Sequence, residues 1–139
     1  MPNNDSVIVA FDVGDRRIGI ATAHSSTRLP SPLKTLEHTE HATDELVKLL
    51  QEQKAAAVVV GLPRNLEGND TSQTKLAREF ANDLKKNTHL PVYLQDEALT
   101  SVKAEQELAE RGLPYNKGEV DALAATYILS DFLGDHPEV

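Results

Sequence analysis

A chain of 139 residues without cysteine has the length of one domain and can bury a core large enough to fold without disulfides. Its 14 basic and 22 acidic residues give a formal net charge of −8, which excludes a uniformly basic nucleic-acid-binding protein but leaves room for a local basic patch. No segment reaches the roughly 20 apolar residues of a membrane helix, and the N-terminus lacks the basic and apolar regions of a signal peptide. We therefore expect one cytoplasmic domain over residues 1–139, without a membrane partner and frayed at residues 1–5 and 135–139.

The first half of the chain predicts three strands followed by a helix. Residues 7–11 are apolar and β-branched, as in a strand buried on both faces. Residues 18–23 resume the strand pattern after a short turn, which predicts a hairpin. A third extended segment is expected at residues 33–36, after two prolines. From Thr43, a candidate N-cap, leucines recur at helical spacing.

Strands and helices alternate in the second half. Residues 56–60 and 91–95 predict strands. Residues 71–86, 101–110 and 119–133 predict helices, of which the last is apolar nearly all round and therefore buried. Strands joined through helices pair in parallel. The order β-β-β-α-β-α-β-α-α thus predicts an α/β fold with a five-stranded mixed sheet and helices on both faces.

Three acidic residues stand at positions where a carboxylate needs a partner. Asp12 and Glu97 follow apolar strands, and open α/β sheets place their sites at the carboxyl ends of strands. Asp121 lies in the first turn of the apolar last helix, where its charge would be partly desolvated. Each acid also has a structural alternative. Asp12 can cap the following turn, Glu97 can lie in a solvated loop, and Asp121 can interact with the helix dipole or with Lys117.

If the three acids converge, they form an all-oxygen site that suits Mg²⁺ or Mn²⁺. The five histidines show no paired spacing for a zinc site. Two divalent ions about 4 Å apart can activate a water and stabilise the leaving oxygen during phosphodiester hydrolysis. The residues therefore support a metal-dependent nuclease as a hypothesis.

Basic residues lie close in sequence to these acids, although the chain as a whole is acidic. Arg16 and Arg17 are in the hairpin beside Asp12, where they could steer a substrate or simply be solvated. Residues 61–70 form a strand exit and a glycine-bounded polar loop before a helix. Arg64 in that loop could pair with a phosphate, and a plain connecting loop is the alternative.

Four segments in chain order resemble the YqgF/RuvX family, a branch of the ribonuclease-H-like nucleases and Holliday junction resolvases. They are FDVGDRRIGIA at residues 11–21, GLPRNLEGN at 61–69, DEALTS at 96–101 and KGEVDALAATYIL at 117–129. The resemblance covers about residues 7–133 and implies a ribonuclease-H-like fold with Mg²⁺ or Mn²⁺ held by the catalytic acids Asp12, Glu97 and Asp121. The candidate substrate contacts are Gly14, Arg16, Arg17, Arg64, Asn65, Thr100 and Lys117.

Two residues depart from the family's pattern. Ala98 stands where the family commonly has arginine after the glutamate, so one phosphate contact is missing. Ala124, three positions beyond Asp121, leaves no fourth carboxylate of the kind found in the better-known junction resolvases. The second departure argues against junction cleavage and leaves a generic nuclease intact.

We therefore expect an endonuclease that processes the 5′ end of pre-16S ribosomal RNA, a structured RNA, in preference to a Holliday junction resolvase acting on branched DNA. Junction resolution needs two sites related by dimer symmetry, and the sequence shows no clear dimer seam, so a monomer or weak homodimer is expected. Two remote alternatives remain. The segment after Asp12 is loosely like the phosphate motif of actin-like ATPases and sugar kinases, which close two such domains around ATP. A non-catalytic nucleic-acid-binding module is the other, and retention of all three acids argues against it.

Overall fold

The computed structural model describes residues 5–97 and 100–139. Its central strands form where the sequence is rich in apolar residues, and its helices form where apolar residues recur at helical spacing. The strands are β1 (Val7–Val13), β2 (Arg17–His24), β3 (Ser31–Glu37), β4 (Ala55–Pro63) and β5 (Val92–Glu97). The helices are α1 (Ala42–Glu52), α2 (Ser72–Asn87), α3 (Thr100–Glu110) and α4 (Lys117–Asp135).

The five strands make one mixed sheet in the order β3-β2-β1-β4-β5. The first three strands form an antiparallel meander, while β4 and β5 are parallel to β1 and to each other. Both parallel pairings are reached through helical crossovers, α1 before β4 and α2 before β5. The α/β class, the element order and the mixed sheet predicted from the sequence are confirmed.

The sheet separates two apolar cores. On one face, Val9, Phe11 and Val13 of β1 pack with residues of α1 and α2. On the other face, Ile8 and Ala10 pack against α4. Because side chains alternate along a strand, Asp12 continues the second set and faces α4. Helix α3 packs on α4 rather than on the sheet, through a small core that contains Ala104, Leu108 and Ala124.

Several element boundaries differ from the sequence-based expectation. Strand β1 continues pairing with β2 through Val13, so Asp12 lies inside the strand instead of after it. Strand β5 likewise includes Glu97, whose pairing partner is Pro63. Thr43 is not an N-cap: α1 begins at Ala42, and the Thr43 hydroxyl donates to Asp83 of α2 over 2.6 Å. Tertiary pairing extends each element beyond what local apolar character indicates.

The C-terminal residues are held to the body of the protein. The guanidinium of Arg28 donates to the carbonyls of Leu133 (2.6 Å), His136 (3.0 Å) and Val139 (2.5 Å). The Val139 side chain also packs against the core beneath α4. This anchoring differs from the fraying expected for residues 135–139. Within the described parts of the chain, no helix is long and apolar enough to cross a membrane.

Candidate active site

A cavity of about 260 Å³ opens at the carboxyl ends of the central strands. The ends of β1, β4 and β5 meet there with the starts of α2 and α3 and the N-terminal part of α4. All three candidate metal-binding acids contribute to its walls. The lining residues are Asp12, Val13, Gly14, Pro63, Gln73, Glu97, Thr100, Ser101, Val102 and Asp121.

Asp12 and Asp121 are brought together by a glycine on the neighbouring strand. Gly19 of β2 pairs directly with Asp12 of β1. A Cβ atom at Gly19 would overlap the backbone carbonyl of Asp121 and would lie 2.8 Å from the amide nitrogen of Ala122. The backbone of α4 therefore rests on the sheet at this glycine, and the Asp121 side chain lies next to that of Asp12.

The burial of Asp12 beside Asp121 affects the ionisation of Asp12. Desolvation, and to a smaller extent the charge of Asp121, raise the pKa of Asp12 from 3.8 to about 7. A carboxylate in such a position is stabilised by any cation that reaches it. The arrangement thus favours a cation between the end of β1 and the first turns of α4.

Arg17 supplies one such positive charge. Its Nε atom donates to Oδ2 of Asp121 over 2.5 Å, and the two side chains are 35% and 18% exposed. The sequence offers Lys117 as a partner for Asp121, but in the structure the partner is Arg17. Arg17 is the first residue of β2, and its side chain reaches Asp121 of α4. Of the candidate substrate contacts, Arg17 therefore contacts a metal-binding candidate directly.

Glu97 occupies the other wall of the cavity. Phe11 of β1 pairs with Val60 of β4, so the next residue, Asp12, lies level with Gly61. Gly61 in turn pairs with Gln95 of β5. Glu97 lies two residues further along β5, on the same face of the sheet. Asp12 and Glu97 are thus separated by two strand spacings of about 4.8 Å and by two residues that each rise about 3.3 Å. Their Cα atoms are therefore about 12 Å apart.

The Glu97 carboxyl is only 8% exposed, and no hydrogen bond reaches its Oε1 atom. Desolvation raises its pKa from 4.5 to about 8, with further contributions from a hydrogen bond to Asp131 and from that residue's charge, whereas Lys103 opposes the shift. A buried carboxylate oxygen without a partner is costly. It is the structural feature that most directly calls for a cation in this cavity.

The three acids do not form one ready-made ligand set. Among residues 5–97 and 100–139, no three acidic or histidine side chains are grouped closely enough to hold a single metal ion. Asp12 and Asp121 form a close pair, and Glu97 faces the cavity from the β5 side. These oxygen donors fit a divalent cation such as Mg²⁺, which binds through one or two carboxylates and keeps several waters. They do not fit a closed structural site, in which protein ligands surround the ion completely.

The first turn of α3 and the hairpin of β1 and β2 complete the cavity. Thr100 is buried in its wall, and Gly14 contributes from the hairpin. The Gly14 carbonyl interacts with Nδ1 of His38 at 2.6 Å, which fixes the turn. Gln73 at the start of α2 donates to Asp15 over 3.1 Å and holds the same turn from the other side.

The other candidate substrate contacts lie around the cavity or away from it. Arg64 and Asn65 line a groove that adjoins the cavity at Glu97. Arg64 forms ion pairs with Asp70 and Asp96, and the side-chain Oδ1 of Asn65 accepts from the backbone amides of Glu67 and Asn69 in its own loop. These side chains therefore shape the loop. Arg16 and Lys117 are exposed and do not line the cavity.

Sequence reasoning overlooked the glycines that set the geometry of the site. Gly19 admits the backbone of α4 next to Asp12, and Gly61 lies between Asp12 and β5 with Ile128 Cδ1 2.5 Å from where its Cβ would be. A glycine within a buried strand is a recognised sign that another part of the chain approaches closely. Gly19 and Gly61 could therefore have been identified from the sequence. Ala98, the departure noted in the third motif, lies outside the described residues.

Comparison with known proteins places this geometry in a family. A family model described as "RuvX: Holliday junction resolvase" matches residues 6–135. A protein of Chloroflexus aurantiacus is 41% identical over 134 residues, which cover 94% of this chain and 88% of that protein. A protein of Shewanella oneidensis is 34% identical over 137 residues, covering 96% and 97%. Both carry the name "Putative pre-16S rRNA nuclease".

Among solved structures, RuvC of T. thermophilus in complex with a Holliday junction substrate matches with a TM-score of 0.55. The match covers 94% of this chain and 95% of the RuvC chain, at 18% sequence identity. This likeness confirms the ribonuclease-H-like fold expected from the sequence.

Proposed function

This chain belongs to the RuvX family, and on that premise we propose that it is a divalent-metal-dependent endonuclease that hydrolyses phosphodiester bonds in the 5′ region of pre-16S ribosomal RNA. The substrate follows from the name shared by the relatives of 41% and 34% identity. We propose the cytoplasm as its location, because that substrate is a ribosomal precursor. The proposed metal ligands are Asp12, Glu97 and Asp121.

A single observation supports the metal-dependent chemistry most strongly: the cavity holds an unpartnered, buried carboxylate oxygen opposite a pair of neighbouring carboxylates. Buried charged groups in proteins are nearly always paired with an opposite charge or bound to a metal ion. Asp12 and Glu97 also lie at the carboxyl ends of strands, where α/β proteins place ligands. A structural role for all three acids would leave Glu97 Oε1 without an explanation.

Bound Mg²⁺ or Mn²⁺ would supply Lewis acidity and a water activated for attack on phosphorus. The chain's own residues determine where the ions and the phosphate can lie. Asp12 and Asp121 offer oxygens from the β1 side, and Glu97 offers them from the β5 side. Two ions, one toward each wall, fit this separation better than one ion held by all three acids.

The phosphate group of the substrate has two favourable neighbours in the cavity wall. The first turn of α3 contributes Thr100, Ser101 and Val102 to the wall, and the amides of a helix N-terminus attract phosphate oxygens. Arg17 lies beside Asp121 and is partly exposed, so its guanidinium can turn toward a phosphate once a metal replaces it at the carboxylate. These local charges offset the net negative charge of the chain.

Holliday junction resolution is the second candidate function, because the family model carries that description. Ala124 argues against a resolvase site of the four-acid kind: it is fully buried against α3 and does not line the cavity. Paired cleavage of a junction also needs two sites in one assembly. We propose a monomer or weak homodimer that acts on single sites.

The proposal is tested by cleavage assays on a pre-16S 5′-leader RNA, an unrelated structured RNA and a four-way DNA junction, each with Mg²⁺, Mn²⁺ or EDTA. We expect metal-dependent cleavage of the leader RNA that is lost in Asp12→Asn and Asp121→Asn. Glu52→Gln is the matched control, since Glu52 is exposed at the end of α1 on the opposite face of the sheet. Cleavage that persists in EDTA or in both Asn variants would show the proposal to be wrong. Cleavage of the junction alone would support the resolvase.

A further inference from the structure

We propose that Glu97 and Asp131 together bind a divalent cation of their own, on the β5 side of the cavity and separate from the ion at Asp12 and Asp121. This inference rests on the proposed function, because it names a further ligand for the same centre. Asp131 belongs to none of the four sequence segments that resemble the family and lies ten residues beyond Asp121 on α4. It therefore extends the set of candidate metal-binding residues.

Packing along α4 brings Asp131 to Glu97. At Gly61 the sheet has no side chain on this face, so Ile128 settles against the strand and draws α4 onto the sheet. One turn later, the rings of Phe132 and Tyr93 contact each other at an interplanar angle of 49°, with centroids 5.0 Å apart, and this contact fixes the rotation of the helix over β5. With Phe132 turned inward, the Asp131 carboxylate lies within hydrogen-bonding reach of the Glu97 carboxyl.

The two carboxylates have different access to water, and this difference suits a partly hydrated ion. Glu97 is 92% buried, and no hydrogen bond reaches its Oε1. Asp131 is exposed on α4. Mg²⁺ and its analogues commonly bind through one or two carboxylates and retain several waters. An ion between these two groups would neutralise the buried oxygen while keeping its waters on the solvent side.

The other charged groups near Glu97 do not take the place of this ion. Lys103 of α3 favours the ionised form of Glu97 but forms no ion pair with it in the described parts of the chain. Asp135, the other acid on this side of α4, accepts a hydrogen bond of 3.0 Å from Gln95. Within residues 5–97 and 100–139, neither Glu97 nor Asp131 forms an ion pair with a basic side chain, which leaves either a shared proton or a bound metal ion between them.

The test is the number of Mn²⁺ ions bound per chain at pH 8, measured by calorimetry and by electron paramagnetic resonance of free Mn²⁺. We expect wild type to bind two ions, Asp131→Asn to lose one of them, and Asp12→Asn to lose the other. Asp135→Asn is the matched control, since it removes a nearby acid of the same helix that is already hydrogen-bonded; it should keep both ions. Circular dichroism checks that each variant is folded.

If Asp131→Asn binds as many ions as wild type with the same affinity, the inference is wrong and Glu97 and Asp131 share a proton instead. If wild type binds a single ion that only Asp12→Asn loses, this inference fails while the proposed nuclease centre stands. If wild type binds no Mn²⁺ at all, the metal-dependent function fails as well. The two proposals are therefore tested separately by one set of titrations.

Discussion

Gly19 of β2 and Asp121 of α4 are in contact through their backbones, at the point where β2 pairs with Asp12 of β1. This contact lets a helix that is distant in sequence place a carboxylate beside a strand residue. The candidate active site thus depends on a residue without a side chain.

Gly19→Ala should destabilise the protein and weaken metal binding, because the new Cβ would overlap the Asp121 carbonyl. Overpacking in a closely packed interior costs about 1–3 kcal/mol. Gly134→Ala in α4 is the control: nothing lies within 4 Å of its Cβ position, so it should be neutral or raise stability by up to about 1 kcal/mol. Urea unfolding and Mn²⁺ titration measure the two effects. Equal stability of the two variants would contradict the packing argument.

Arg17→Gln should strengthen Mn²⁺ binding while lowering the rate of cleavage. The Arg17 guanidinium donates to Asp121 Oδ2 over 2.5 Å, so a metal ion that binds this oxygen must displace it. Without the competitor, the carboxylate is free to bind the ion, but the positive charge near the phosphate is lost. Calorimetry with Mn²⁺ and single-turnover cleavage at saturating Mn²⁺ separate the two effects. Arg16→Gln, at an exposed neighbouring position, should change metal affinity little. Weaker Mn²⁺ binding in Arg17→Gln would contradict this competition.

The metal-free protein should lose stability as the pH rises from about 4 to about 8. The pKa values of Asp12 and Glu97 rise from 3.8 to about 7 and from 4.5 to about 8 on folding. Between each pair of values the folded state binds a proton that the unfolded state has released, so stability falls with increasing pH. Asp12→Asn should therefore exceed wild type in stability by about 1–3 kcal/mol at pH 8 and by little at pH 4.

Thermal unfolding in EDTA at the two pH values measures this difference. Added Mg²⁺ should raise the stability of the wild-type protein at pH 8, because the ion binds the ionised carboxylates of the folded state. It should stabilise Asp12→Asn much less. A wild-type protein that is as stable at pH 8 as at pH 4 without metal would show that these carboxyls are not desolvated as the structure indicates.

Ala124→Asp should not create a fourth metal ligand. Ala124 is 0% exposed and packs in the core between α3 and α4 with Ala104 and Leu108. A carboxylate there would be buried without a partner, which costs about 3–5 kcal/mol when a charge is left unpaired. Urea unfolding of Ala124→Asp and Ala124→Asn at pH 5 and pH 8 distinguishes charge from size. An extra bound Mn²⁺ in a variant of wild-type stability would contradict this placement.

The sequence by itself determined the fold class and the order of the elements. Apolar runs such as residues 7–11 and 56–60 have the period and composition of buried strands, and the helical spacing of leucines after Thr43 is a local property. The carboxylates at Asp12 and Glu97 were also visible locally, because they follow apolar runs in the sequence. Local signals failed at boundaries, as at Thr43, since pairing and helix contacts with distant residues extend an element beyond its own propensity.

Only the tertiary structure decided which groups meet. Arg17 rather than Lys117 neutralises Asp121, because the hairpin folds back beneath α4 while Lys117 points into solvent. Gly19 and Gly61 decide how closely α4 lies on the sheet, and the rotation of that helix brings Asp131 to Glu97. A sequence pattern specifies which residues a strand or helix presents. The distances between charges on different elements are set by packing across the sheet, and the chemistry of the cavity depends on those distances.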